Sequence, residues 1–480
     1  MIAKMITVIY LISLVSTLWM IHRHPLSFAK ELLLNKVLTV FCSGYFLAIT
    51  FIYAFIFQGS KPLLYFSMLA FCPFVLFMAT ILKKHGYEGD LNVMILALVL
   101  NSMGLVVLYR LDVSSGWFLA RMLRYDGNTP MALKQLTYSM VALTAVTLGI
   151  AKGVFSRIVS DIEKNKSILV WGFIAFALLA TPKLLGFSAM LVQEKSFQPS
   201  EFAFKLFFLV FVAKYYESKS SELVRTCYPL KDVLKIVIFV FISITVFFFF
   251  PLVFLQKELG TALLIGLSFI ILTSYVTGRI SFFIVGISLI VLAMLIGVQF
   301  SGHVEKRLIG AWLEWQEFAF KPFREGERLY PGYQLFMAIA TIKLTPWGVG
   351  IGNGILNRVS SDQVIQTIVP KAVHDFVAIP LMSEMGILSI AVIAVAYLIL
   401  LDKSIKRHKS LSFCSILSVG IAVALTTQGL YNLSCVTALL PTTGIPLPWI
   451  SYGGSAIFAN YILLGLLMTT LNNRVDNNEQ

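Results

Sequence analysis

Apolar residues run along this chain in long blocks, not at the alternate or three-and-four spacing of a half-buried strand or helix. The blocks fall near 5–21, 37–57, 63–82, 92–109, 136–151, 168–187, 201–216, 234–255, 260–277, 281–300, 376–401, 411–431 and 456–471. Each is close to the length that crosses a bilayer as a helix, so the pattern predicts about thirteen transmembrane helices and an all-α polytopic membrane protein. The first block lacks a small-residue cleavage site and is soon followed by a second, so it reads as a retained helix. Two interruptions stand out. YQLFMAIATIKLTPWGVGIGNG (333–354) is too broken by Gly and Pro for a clean span and predicts a re-entrant or interfacial segment. PLPWISYGGS (446–455) breaks the chain just before the last block, and broken backbone at membrane depth is tolerated only inside protein or against a water-filled cavity. It is expected to line such a cavity, with Gly453, Gly454 and Ser455 starting the last helix and offering their N–H groups to an anion. Alternatively, these glycines simply let the last helix pack closely.

Composition agrees with the blocks: 58% hydrophobic against 13% charged residues, and a mean hydropathy of +0.84, exclude a soluble domain of this length. The formal charge of +14 is clustered. Arg23, Lys30 and Lys36; Lys83 and Lys84; Lys152, Arg157, Lys164 and Lys166; Lys214, Lys219, Arg225 and Lys231; and Lys403, Lys406, Arg407 and Lys409 all fall on one side if the spans alternate. By the positive-inside rule that side is the cytoplasm, which puts the N-terminus outside and the C-terminus inside. The basic charge is read as topology plus attraction to anionic membrane lipid, not nucleic-acid binding, because no soluble domain carries a groove. Five scattered cysteines form no C-x-x-C pair and imply no disulfide and no metal site.

Charge inside or at the mouth of a span is costly and usually functional. Arg110 and Asp112 close the span at 92–109, and SFQPSEFAFK (196–205) sets Gln198, Ser200, Glu201 and Lys205 at another outer mouth. Glu258 follows in QKELGTALL (256–264), while HDFVAIPLMSEMG (374–386) supplies Asp375 at a mouth and Glu384 further inside. Segment 301–375 is the largest on the outer side. Glu201 also suits a plain helix start and Glu258 a solvated turn. Together these acids, few cations and broken helices suit a phosphorylated lipid headgroup, with cations and helix N-termini on the phosphates and a carboxylate left as base. The alternative, that each charge pairs with a neighbour to hold the bundle, stays open on pattern alone.

SFQPSE, QKELGTALL, PGYQLFMAIA followed by WGVGIGNG, HDFVAIPLMSEMG and LLPTTGIPLPWISYGGS occur in the order seen in the SEDS family (shape, elongation, division and sporulation; the RodA, FtsW and SpoVE group). The resemblance covers roughly residues 92–472 and implies a SEDS-like core of about ten helices within 85–480, with a large external loop at 301–375. Residues 1–84 carry no motif of the family. They look like about three added transmembrane helices, separable from any chemistry if the shortened chain still inserts.

The resemblance implies a peptidoglycan glycosyltransferase of the bacterial plasma membrane, acting in cell elongation, division or sporulation. Its substrate would be lipid II, the undecaprenyl-pyrophosphate disaccharide-pentapeptide, polymerised with inversion at the outer face. The implied partner is a class B penicillin-binding protein, a transpeptidase. Counting back from Tyr333 in ERLYPGYQ places the family's essential carboxylate at Glu327, where relatives normally carry Asp. Glu327 is therefore the expected general base, and Arg110 and Lys205 the expected phosphate contacts. Gln198, Glu201, Glu258, Tyr333, Gln334, Asp375, Glu384, Ser451, Gly453, Gly454 and Ser455 complete the expected substrate site. A divalent cation, Mg or Mn, bridging the phosphates is an expectation without a nameable ligand set. The family lysine after QPSE falls at Phe204 here, with Lys205 one residue on, a rotation of about 100° on an α-helix. Two other classes remain: a flippase for the lipid-linked precursor, and a non-catalytic scaffold that activates the transpeptidase.

Overall fold

The structure, a computed structural model, describes residues 2–24, 30–56, 62–114, 130–164, 167–184, 203–219, 230–246, 259–300, 302–305, 309, 312–313, 331–351, 373–407 and 411–472. Every regular element among them is helical. Among the described residues eight helices are long and apolar enough to cross a membrane, and two shorter apolar ones accompany them at Ile280–Leu295 and Gly454–Thr470. The chain is thus a multi-pass, all-α membrane protein.

Helix α1 (Ile2–Arg23) pairs with α2 (Glu31–Phe51), which runs on through a π-turn at Ile52–Ile56. Helices α3 (Pro62–Leu69) and α4 (Phe71–Lys84) make one bent span, and α5 (Asn92–Ser114) follows. In α5 the whole window from Asn92 to Asp112 is buried. That is why its apolar residues run all round the helix, with no stripe: it has no lipid face. Helix α1 is built the other way. Ala3, Thr7, Tyr10, Ser13, Leu14 and Thr17 face the protein while Met5, Val8, Ile12 and Trp19 are exposed, so its hydroxyls point inward and its hydrocarbon outward.

Next come α6 (Met131–Ala151) and the short amphipathic α7 (Val154–Lys164). After α8 (Leu169–Leu184) a π-turn at Ala203–Phe208 leads into α9 (Leu209–Ser218). Helices α10 (Leu230–Ile244), α11 (Leu259–Thr277) and α12 (Ile280–Phe300) precede α13 (Pro331–Leu344). The bundle closes with α14 (Ala378–Met385), α15 (Ile387–Arg407), α16 (Phe413–Val436) and α17 (Gly454–Thr470). Helix α17 packs on α6, and α16 on α9, α11 and α15.

One expectation changes. The apolar block at 376–401 is not one span: Gly386, at φ +74, ends α14, and the membrane-crossing helix is α15. The cause lies opposite. A Cβ on Gly386 would sit 2.6 Å from the backbone carbon of Trp347, and one on Gly348 would sit 2.5 Å from the oxygen of Glu384. Two backbones touch there, which only glycine allows. Hydrogen bonds knit them: Val349 N donates to Ser383 O (3.0 Å), Gly350 N to Glu384 O (2.8 Å) and Ile387 N to Pro346 O (2.9 Å). Turn 345–351, following α13, therefore takes up carbonyls at the end of α14 that its own helix leaves unpaired. The piece at 333–354 is indeed no clean span: its helix ends at Leu344.

The ends of the bundle differ. His24 O meets Asn92 Nδ2 at 3.1 Å, Tyr87 Oη meets Met468 O at 3.1 Å, and Lys214 Nζ meets Glu163 O at 2.6 Å, so these residues share one end with the basic clusters. The quoted motifs that fall among the described residues gather toward the other end.

Candidate functional site

At the motif end the strap 441–453 crosses the bundle as irregular backbone. Its own amides find few partners in sequence, so side chains of the surrounding helices supply them. From α16, Gln428 Nε2 donates to Pro446 O (2.8 Å), Asn432 Nδ2 to Ile445 O (2.6 Å), and Tyr431 Oη to Pro441 O (2.9 Å). Tyr397 Oη of α15 donates to Pro448 O (2.8 Å), and Asn101 Nδ2 of α5 to Trp449 O (3.4 Å). Gln135 of α6 reaches both ways, donating from Nε2 to Ser451 O (3.0 Å) and accepting at Oε1 from Gly453 N (3.3 Å). Within PLPWIS, Trp449 is 1% exposed and Ile450 0%, so these two side chains are sheltered by protein. The Ser451 hydroxyl is engaged on both sides, donating to His374 O and accepting from Leu447 N (2.8 Å). It holds the turn shut.

Gly453 caps α17 and Gly454 begins it, as the sequence suggests, with Ser455 half-buried beside them. Across from this start, Asp112 accepts from Met131 N (2.9 Å) and Ala132 N (2.7 Å), a carboxylate on the positive end of α6.

Arg110, at the end of α5, is 2% exposed, and its Nε lies 3.2 Å from Glu384 Oε1 in the last turn of α14. Two residues marked by sequence thus meet each other. Such a pair offsets two desolvation costs, and removing one partner typically costs about 3–5 kcal/mol. Asp375 is 8% exposed and borders a small pocket with Asn432, Cys435, Thr442, Thr443 and Gly444. Asn432 Nδ2 also donates to Asp375 O (2.8 Å), tying this pocket to the strap. Tyr333 and Gln334 are buried in the first turn of α13, at 9% and 6% exposure.

Lys205 is 1% exposed and donates from Nζ to Asn460 Oδ1 of α17 at 2.6 Å. It lies in the π-turn Ala203–Phe208, and a π-turn takes up one residue more than an α-turn. The one-residue displacement of this lysine thus coincides with a local winding that absorbs one residue. Glu327, Gln198, Glu201 and Glu258 lie outside the described residues. Among the described residues no three His, Cys, Asp or Glu side chains converge; a magnesium or manganese ion bridging phosphates would need only one or two carboxylates from the protein.

Sequence reading passed over Gln135, Asn101, Gln428, Asn432 and Asn460. A signal existed, since an amide inside an apolar run needs a partner.

Helices broken where neighbouring side chains or backbone take up the freed groups, with Arg110, Glu384 and Asp375 buried toward one end, define a polytopic membrane protein organised around that end. The chain belongs to the FtsW, RodA and SpoVE family of cell cycle proteins, whose model matches residues 90–475. It is 27% identical over 407 residues to the peptidoglycan glycosyltransferase RodA of Mycobacterium bovis, covering 79% of this chain and 77% of that one. It is 26% identical over 399 residues to the probable peptidoglycan glycosyltransferase FtsW of Geobacter sp. (strain M18), covering 80% and 97%. A solved chain from work on a peptidoglycan synthase complex that coordinates polymerization and crosslinking aligns at 21% identity with a TM-score of 0.45, covering 80% of this chain and 97% of that chain.

Proposed function

We propose that this protein is a peptidoglycan glycosyltransferase that polymerises lipid II at the outer face of the bacterial plasma membrane, with a class B penicillin-binding protein as partner. The observation that carries the reading is spatial. Arg110, Glu384, Asp375, the strap with Ser451, and the start of α17 all lie toward one bundle end, away from the basic clusters, within a chain that matches the family over residues 90–475.

The donor is the growing glycan on its lipid pyrophosphate and the acceptor the sugar 4-hydroxyl of lipid II. Glu327 takes the hydroxyl proton as the new C–O bond forms and the bond to pyrophosphate breaks, with inversion and no covalent intermediate. Unpaired N–H groups at the start of α17 suit the departing pyrophosphate. Arg110 and Lys205 are engaged by Glu384 and Asn460, so they act on phosphate through their field, or by exchanging those partners. A divalent cation held by one or two carboxylates together with the substrate phosphates would add charge stabilisation for the departing pyrophosphate.

The test is polymerisation of purified lipid II by the protein with its partner. Glu327→Gln cannot accept the proton, so the rate falls by about 10²–10⁴ while insertion and partner binding persist. Glu327→Asp retains activity. Full polymerisation by Glu327→Gln would remove this residue from the mechanism. Unimpaired lipid transport or partner activation, with no polymerisation even in the wild type, would favour a flippase or a scaffold. Orientation is checked separately: a reporter fused at Lys406 is cytoplasmic and one near Gly326 external. The reverse result would place the site on the wrong face.

A further inference from the structure

Helix α1 lies outside the residues that match the family, yet it touches the motif end directly. Thr7 Oγ1 accepts a hydrogen bond from Ile351 N at 2.8 Å, and donates to Ala3 O at 2.7 Å. Both roles of the hydroxyl are used. Gly350, at φ +96, lies so close to α1 that a Cβ there would be 2.9 Å from Ala3 C and from Lys4 N. Ile351 is 0% exposed, and turn 345–351 is non-helical backbone in a membrane protein. Without α1 on this side the buried N–H of Ile351 would lose its acceptor.

The contact continues inward. Gly350 N donates to Glu384 O, and the Glu384 carboxylate meets Arg110. Thr7 is therefore linked to the buried ion pair through one short stretch of backbone. Helix α1 is itself fixed to α5 at two points, mid-helix by Tyr10 Oη with Ser102 Oγ (3.2 Å) and just past its C-terminal end by Asn92 Nδ2 with His24 O (3.1 Å). A helix anchored to the same α5 that carries Arg110 can hold turn 345–351 at a fixed distance from that arginine.

We propose that α1 is a brace for the motif end, and that Thr7 is a positioning residue that holds turn 345–351, and through it Glu384, in register with Arg110. The functional half of this proposal rests on the glycosyltransferase reading; the structural half does not. It assigns to α1 a role in the working unit, where the sequence led us to expect a separable addition.

The test uses full-length protein in nanodiscs, comparing wild type, Thr7→Val and Thr7→Ser. Valine keeps the shape and removes the acceptor; serine keeps the acceptor. Amide exchange at 347–351 should accelerate about fivefold to tenfold in Thr7→Val, return to wild type in Thr7→Ser, and stay unchanged at 447–452 in both. With lipid II and the partner, kcat should fall several-fold in Thr7→Val with KM little changed, and Thr7→Ser should restore it. Unchanged exchange at 347–351 in Thr7→Val overturns the brace. Accelerated exchange with unaltered turnover overturns the positioning role. Absence of polymerisation in the wild type sinks the functional reading alone, because the exchange measurements decide the brace without it.

Discussion

The strap 441–453 and the turn 345–351 are both stretches of irregular backbone in a membrane protein, and they are satisfied in opposite ways. In the strap it is mainly carbonyls that lack partners, and amide or phenol side chains from α5, α6, α15 and α16 reach in to donate. In the turn it is mainly N–H groups, which donate to carbonyls at the end of α14 and to the hydroxyl of Thr7, while Pro346 O accepts from Ile387 N. The strap draws every one of these partners from within residues 90–475, whereas the turn borrows one from a helix outside that match. Irregular backbone can thus be self-contained or dependent. The difference lies in which polar groups the break leaves over, and in what helix happens to stand beside them.

The largest effect should come from filling the room in which the strap lies. A Cβ on Gly104 of α5 would fall within 2.9 Å of the Cα of Ile450 and closer still to its oxygen, and both groups are backbone that cannot turn aside. Gly104→Ala should therefore cost about 3 kcal/mol or more, the upper range for overpacking a filled interior, and lower both yield and melting temperature in detergent. Exchange at 447–452 should rise well before that at 347–351. Equal loosening of both regions would show that strap and turn are one unit, not two.

What the sequence could reveal follows the range over which each signal acts. The spans were legible because length and hydropathy are local, and the broken stretches 333–354 and 446–455 because Gly and Pro mark themselves. The division of 376–401 into α14 and α15 was not legible, since the backbone of Trp347 that leaves no room for a Cβ at Gly386 lies far away in sequence. Arg110 and Glu384 were each marked as costly intramembrane charges, but nothing local says that they answer each other. The Thr7 contact spans most of the chain length and comes from a residue that reads as an ordinary helix hydroxyl. Buried amides were the missed opportunity: Asn432 and Gln428 sit in an otherwise apolar block, and their donors were bound to be wanted somewhere.

Asn432 gives the smaller and sharper test. Its Nδ2 serves two carbonyls at once, Ile445 O in the strap and Asp375 O beside the pocket, at 2.6 and 2.8 Å. Gln428, one helical turn earlier on α16, serves the single carbonyl of Pro446 at 2.8 Å. Leucine at either position fills a similar volume and donates nothing, so each carbonyl left behind keeps its desolvation cost of about 1–3 kcal/mol with no bond to offset it. Asn432→Leu should accordingly lower thermal stability about twice as far as Gln428→Leu, roughly 2–4 against 1–2 kcal/mol after allowance for the apolar side chain gained. Because Asp375 O is one of the two acceptors, Asn432→Leu should also loosen 373–377 in amide exchange, and Gln428→Leu should not. Neither should change exchange at 347–351, whose donors look to α14 and α1. If the two leucine variants cost the same, or if Asn432→Leu loosens the turn as readily as the strap, the strap is not held by these amides one carbonyl at a time, and the contrast between the two regions fails.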